Sequence, residues 1–217
     1  MTNNALRTPY QFILHLIMLL FGLFFMAMGV ALSKLAGIGT SPISSIPNVL
    51  SLVSHYSIGQ MTVVIMIITI ILEAVILRHQ FAWTNLLQLL PAAFFSALID
   101  YFVRIFGGLP ITTYPRQLIV SFISILILAL GVYLEVNAGL IVMPGEGIVV
   151  AIVLVTHQPF AKLKVDCDIA MVLIAVIIAL IFLHGLIGVR EGTVLAALLT
   201  GRFVALIAKL VSRFKLN

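Results

Sequence analysis

Six apolar runs dominate this sequence, and each is long enough to cross a membrane as a helix. A helix needs about 20 apolar residues to span the hydrocarbon core of a bilayer. The six runs cover Tyr10–Ser33, Ile58–Leu77, Trp83–Phe106, Arg116–Val136, Val165–His184 and Gly192–Val211. Of the 217 residues, 63% are apolar and only 9% are charged, whereas soluble domains carry about 25% charged residues. Because a soluble fold of this size cannot bury so much apolar surface, the sequence predicts an all-α polytopic membrane protein with six long transmembrane helices.

Two shorter apolar segments lie between these runs, at Pro42–Ser54 and Pro144–Thr156. Each begins with proline, which suits the first turn of a helix because the N–H that proline lacks has no partner there. At 1.5 Å per residue, such a helix is only about 20 Å long, which is less than the roughly 30 Å of the hydrocarbon core. Each segment is therefore predicted to be either a re-entrant half-helix or a short crossing in a thinned membrane.

The two short segments belong to an internal repeat. A shift of 102 residues places Gly29–His55 on Gly131–His157 without a gap, with ten identical pairs in 27 positions. The chain is therefore predicted to be one membrane domain built from two copies, residues 10–106 and 116–211. If the short helices re-enter, each copy crosses three times and the second is inverted; if they cross, each copy crosses four times and the copies are parallel.

The net charge of +5 comes from lysines and arginines placed between the apolar runs. They form no basic stripe, so nucleic-acid binding is not expected. Positive residues of this kind hold loops at the cytoplasmic face of a membrane. Both repeat models place the N- and C-termini in the cytoplasm. The number of Lys and Arg residues on the cytoplasmic side differs by only one between the models, so the counts do not decide between them.

Three motifs resemble those of bacterial YczE/YyaS/YitT-type integral membrane proteins. They are AGIGTSPISSIPNVLSLVSHYSIGQ at 36–60, MPGEG with a following Lys-x-Asp within 143–166, and REGTVLAALLTGR at 190–202. Arg190 stands where that family commonly has glycine. The resemblance implies a small protein of the bacterial cytoplasmic (inner) membrane, and it implies no agreed biochemical activity.

Glu146 is the first candidate site residue, because it lies in the first turn of the second short helix. The N-terminus of a helix stabilises a nearby carboxylate. One interpretation is that Glu146 lines a site for a solute, a cation or a proton at the membrane midplane, where Pro42 and Pro144 begin the broken helices, as in transporters. The alternative is that Glu146 only caps its own helix.

Asp166 and Asp168 are the other candidate binding residues. Each lies four residues after a lysine, Lys162 or Lys164, and such pairs share one face of a helix. They are predicted to form a charge-paired helix start at the cytoplasmic interface. The functional alternative is that Asp168, which lies deeper in its span, faces the cavity that holds Glu146.

The remaining charges within the spans are predicted to be structural. Asp100 is expected to pair either with Arg104, four residues on, or with Arg202, its equivalent in the repeat. Glu73 and Glu135 are expected to reach a membrane interface by snorkelling.

No enzyme is predicted, because the sequence contains no Gly-x-Ser-x-Gly, His-Glu-x-x-His or Walker motif. No cofactor and no metal site are expected. The favoured function is a permease for a small molecule or ion, with a midplane site at the broken helices and with the lipid bilayer and a small solute or proton as partners. The alternative is a non-transporting accessory that binds another membrane protein, which the sequence does not identify.

Overall fold

The computed structural model describes residues 9–214, and its α-helices in this range confirm the predicted architecture. The helices are α1 (Pro9–Ala36), α2 (Pro42–Val53), α3 (Ile58–Leu77), α4 (Leu89–Phe106), α5 (Tyr114–Ala138), α6 (Pro144–Thr156), α7 (Phe160–Leu183) and α8 (Glu191–Phe214). Two 3₁₀ turns, Arg78–Gln80 and Trp83–Gln88, join α3 to α4. Six helices are long and apolar enough to cross a membrane, while α2 and α6 are short. The chain is therefore a multi-pass membrane protein.

The first short helix, α2, is re-entrant. Lys34 Nζ, near the end of α1, donates a hydrogen bond of 2.7 Å to Ser51 Oγ, near the end of α2. The opposite end of α2 lies deep in the bundle, because Ser44 lines a central cavity together with Met26 from the middle of α1. The chain thus leaves α1, runs back into the membrane and returns to the same face along α2.

The second copy of the repeat is inverted, because the equivalent helices α1 and α5 run antiparallel. Gly22 packs against Gly131, while Gly29, about two turns further along the same face of α1, packs against Ser124. At the start of α1, His15 Nδ1 donates a hydrogen bond of 2.7 Å to the carbonyl of Ala138, at the end of α5. This antiparallel pairing is the one expected of an inverted second copy, rather than of a parallel one.

The packing of the two copies follows this symmetry. Helix α1 packs on α4 as α5 packs on α8, and α2 packs on α7 as α6 packs on α3. One pair differs, because α3 packs closely on α4 whereas α7 scarcely touches α8. A cavity of about 400 Å³ separates α7 from α8.

Three crossings in each copy bring both ends of the described chain to one side of the membrane. We call the side where residues 9 and 214 lie the terminal face and the opposite side the distal face. Helix α6 runs from the centre of the bundle to the terminal face, since Leu154 near its end lines one cavity with Leu77 in the last turn of α3. The two re-entrant helices therefore enter from opposite faces.

Candidate functional site

The N-termini of α2 and α6 meet at the centre of the bundle. Ile43 and Gly145 are equivalent in the repeat, and a Cβ atom on Gly145 would overlap the Ile43 side chain. Beside this contact lies the central cavity, whose volume of about 30 Å³ is enough for one water molecule. Pro42 and Pro144 begin the two helices as predicted, but the cavity is lined by the residues that follow them, including Ser44 and Glu146.

Glu146 takes part in a cluster of charged side chains that we call the acidic cluster. It comprises Glu135 on α5, Glu146 on α6, and Lys164 and Asp168 on α7. Lys164 Nζ lies 3.7 Å from Glu146 Oε1 and 2.8 Å from Asp168 Oδ1. Asp168 is therefore linked to Glu146 through the lysine. Two carboxylates thus lie within 4 Å of one ammonium group, and Glu135 interacts electrostatically with Glu146.

Two buried carboxylate oxygens of the acidic cluster have no hydrogen-bond partner among residues 9–214. Glu135 is only 5% exposed, and its Oε1 accepts a hydrogen bond of 3.2 Å from the N–H of Met143. Its Oε2 atom and the Oε2 atom of Glu146 are both buried without a partner. Leaving such atoms unpaired is costly in a medium of low polarity. Protonation of either carboxyl group would give its unpaired oxygen a hydrogen and remove the cost of burying the charge.

Asp166 is not part of this cluster. It lies on an exposed face of α7, and the predicted pair between Lys162 and Asp166 is wrong, because Lys162 Nζ donates instead to Gln158 Oε1 at 3.1 Å. Within residues 9–214, no group of three or more His, Cys, Asp or Glu side chains is arranged to hold a metal ion.

Glu73 and Glu135 are buried, so the prediction that they reach an interface by snorkelling is wrong. Glu73 is 3% exposed, and its Oε1 accepts a hydrogen bond of 2.8 Å from Asn85 Nδ2. Gln88 Nε2 donates to Glu73 Oε2 at 3.2 Å. The sequence marks Glu73 as unusual, because a charge inside an apolar run is costly. It does not reveal the partners of Glu73, because both amides lie beyond the end of α3.

A second cavity, which we call the terminal cavity, opens beside Glu73. Its volume is about 540 Å³, and it lies between the end of α3, the 83–88 turn and α6. Gly147 lines it, so consecutive residues of α6 line the two cavities: Glu146 the central one and Gly147 the terminal one. Only the first turn of α6 separates them.

The equivalent space at the distal face is closed. Residues 185–190 are the repeat equivalents of 83–88, and there the carbonyl of Gly188 accepts a hydrogen bond of 2.9 Å from Asn48 Nδ2 on α2. A Cβ atom on Gly188 would lie 2.9 Å from Leu52 Cδ1, which shows how closely this segment covers the helix. Of the two equivalent connections, 83–88 therefore borders an open cavity, whereas 185–190 covers the adjacent short helix.

Comparison with known proteins gives a family without an assigned activity. A family model described as "Family of unknown function (DUF6198)" matches residues 13–209. The chain belongs to this family. No curated protein and no solved structure matches it. Membership in DUF6198 therefore leaves the function to be inferred from the site.

Asp100 in this DUF6198 member has a structural role that differs from the predicted one. No ion pair within residues 9–214 joins it to Arg104 or Arg202; its Oδ1 accepts from the N–H of Gly59 at 2.8 Å and its Oδ2 from Ser57 Oγ at 2.5 Å. The carboxylate thus caps the N-terminus of α3, where the helix dipole favours negative charge.

We expect replacement of Asp100 with alanine to lower the free energy of unfolding by about 2 kcal/mol, because two hydrogen bonds to a charged group are lost. Arg104→Ala and Arg202→Ala should change it by less than about 0.5 kcal/mol. Thermal unfolding of the purified variants in detergent measures all three. A loss in either arginine variant equal to that of Asp100→Ala would restore the ion-pair interpretation.

Proposed function

We propose that the protein is a permease for a small solute, which exposes a central site to the two membrane faces in turn. The observation that carries this proposal is the contrast between residues 83–88, which border the open terminal cavity, and their equivalents 185–190, which cover α2. If two inverted copies have different conformations, each can adopt the conformation of the other. The cavity that was open at one face of the membrane then closes, and its equivalent at the other face opens. The backbone breaks before α2 and α6 must be surrounded by protein or water inside a membrane. The central cavity beside the starts of these helices can hold such a water molecule.

The acidic cluster is proposed to couple this exchange to a proton or small cation. In the repeat, the positions of Glu135, Glu146, Lys164 and Asp168 correspond to Ser33, Ser44, Thr62 and Met66. The first copy therefore carries none of these charges, although it has the same helices. A set of charges that the fold does not require is suited to binding an ion.

The membrane is proposed to be the bacterial cytoplasmic membrane, with both termini in the cytoplasm. The resemblance of residues 36–60 to YczE/YyaS/YitT-type proteins supports the location. The positive residues near the termini support the orientation. In this orientation the terminal cavity opens to the cytoplasm.

Currents on solid-supported membranes test the permease directly. Purified protein in proteoliposomes is exposed to a panel of amines, amino acids and carboxylates, and empty liposomes serve as the reference. At least one class of solute is expected to evoke a current. Absence of any current with the whole panel, together with uptake of none of the solutes in radiolabelled form, would contradict the proposal.

The alternative function, a non-transporting accessory, is favoured by one observation. The face between α7 and α8 is loosely packed and its lining is largely apolar, with Val165, Ile169, Leu173, Val194 and Leu198 at the groove. A helix of another membrane protein fits such a groove. An accessory would copurify with one partner in stoichiometric amount and would give no solute current.

A further inference from the structure

We propose that the terminal cavity recognises a primary ammonium group carried on an apolar body. This inference rests on the proposed function, because the terminal cavity is the open end of the proposed solute path. The recognising groups are Glu73 and Gln88, and the apolar body is held by the side chains around them.

The carboxylate of Glu73 has no positive partner. Within residues 9–214 no ion pair involves it, and its hydrogen bonds come from the neutral amides of Asn85 and Gln88. Arg78 and His79, on the adjacent 3₁₀ turn, are exposed. Among the helices that pack on α3, α2 carries no charge and α6 carries Glu146, which is acidic as well. Helix α4 carries Asp100 and Arg104, but towards its distal end, away from Glu73. A buried carboxylate in such surroundings is stabilised by a cation that enters the cavity.

Gln88 adds an acceptor with a fixed direction. The side chain is 7% exposed, and its Nε2 donates to Glu73, which leaves Oε1 as the acceptor of this amide. This Oε1 atom is buried without a hydrogen-bond partner and lies toward Gly147, where a Cβ atom would be 2.7 Å from it. The carboxylate and amide oxygens are hydrogen-bond acceptors, so they favour a ligand group that donates hydrogen bonds and accepts none. An ammonium group fits, because it has three donors and no acceptor.

The rest of the lining selects the body of the ligand. It is mostly aliphatic, with Leu77, Leu87, Leu140, Ile141, Val142 and Leu154. A volume of about 540 Å³ lies within the usual range for small-molecule sites. Among the described residues, the lining contains no aromatic side chain, so they offer no cation–π contacts of the kind that hold quaternary ammonium groups. A primary amine is therefore favoured over its trimethylated form.

The repeat shows that the fold does not need these groups. The equivalent of Glu73 is Ala175, which packs in an apolar cluster with Ile46 and Val49. The equivalent of Asn85 is Ile187. The equivalent of Gln88 is Arg190. The second copy thus lacks both the carboxylate and the amides at these positions, which supports a ligand-binding role for Glu73 and Gln88 rather than a structural one.

Equilibrium dialysis of radiolabelled tryptamine against the purified protein tests the inference. Wild type should bind tryptamine, and tryptophol, which has a hydroxyl in place of the ammonium, should compete about tenfold less well. Trimethylated tryptamine should also compete less well. Glu73→Gln should weaken binding about tenfold or more, and Gln88→Leu should weaken it by a smaller factor. Glu191→Gln, at a half-exposed position on α8 outside the terminal cavity, is the matched control and should bind as wild type.

Equal binding by Glu73→Gln and wild type, or equal competition by tryptophol and tryptamine, would overturn the inference. If Glu73→Gln does not fold, the inference is tested by the binding of tryptamine to Gln88→Leu and by the competition of tryptophol with tryptamine on the wild-type protein. Tryptamine binding without any solute current would contradict the permease and leave the ammonium site intact. Currents from other solutes without tryptamine binding would contradict only the ammonium site.

Discussion

Replacement of Glu146 with glutamine is expected to abolish the solute-evoked current while leaving the protein folded. Glutamine keeps the size and shape of the side chain at the start of α6, but it removes the negative charge that faces Lys164 at 3.7 Å. The buried Oε2 atom would no longer attract a proton or cation. Since the coupling ion is proposed to bind here, we expect a fall in current of about 100-fold, the size of effect that follows from losing an interaction of about 3 kcal/mol.

The comparison needs a control for the charge change and one for folding. Asp166→Asn removes an exposed carboxylate of α7 that lies outside the acidic cluster and should keep the full current. Size-exclusion profiles and thermal unfolding should be similar for Glu146→Gln and wild type. A variant that unfolds but shows normal current per folded molecule would mean that Glu146 only caps its helix.

Replacement of Gly131 with leucine is expected to prevent assembly of the two copies. A Cβ atom there would lie 2.5 Å from the backbone N of Met26 and 2.7 Å from the carbonyl oxygen of Gly22. Both atoms belong to the backbone of α1, so no side chain can rotate to make room, and the α1–α5 crossing must separate. We expect a destabilisation of about 3 kcal/mol or more, seen as loss of the monodisperse peak in fluorescence-detected size-exclusion chromatography.

Gly201 supplies the matched control for this substitution. It lies in α8, and a Cβ atom there has no neighbour within 4 Å. Gly201→Leu should therefore fold like wild type. Equal stability of the two leucine variants would show that α1 and α5 do not cross as closely as described.

The sequence predicted the helices well, because length and apolar composition alone decide whether a segment spans a membrane. It left the direction of the second copy open, because the charge counts of the two models differed by one residue. The contact of Gly22 with Gly131, which are distant in the chain, decides the direction. A contact of this kind is set by packing and leaves no local pattern in the sequence.

The candidate site was predicted in part. Glu146 could be identified because its proline-initiated helix marks a break in the membrane, and Asp168 because of its spacing from Lys164. Glu73 was misassigned, because its partner Gln88 lies beyond a turn that the sequence joined to a long helix. Asp100 was misassigned for a similar reason, since Ser57 lies 43 residues away and only the packing of α3 on α4 brings them together.

Distances between spin labels test alternating exposure most directly. In a Cys167→Ser background, one pair at Thr84 and Leu154 reports on the terminal cavity, which both residues line. Their repeat equivalents, Leu186 and Leu52, report on the distal face, and both are exposed. In proteoliposomes with a solute that evokes current, the Thr84–Leu154 distance should shorten as the Leu186–Leu52 distance lengthens, relative to protein without solute. Single, unchanged distances for both pairs, or two distances that shorten together, would contradict a permease that opens one face at a time.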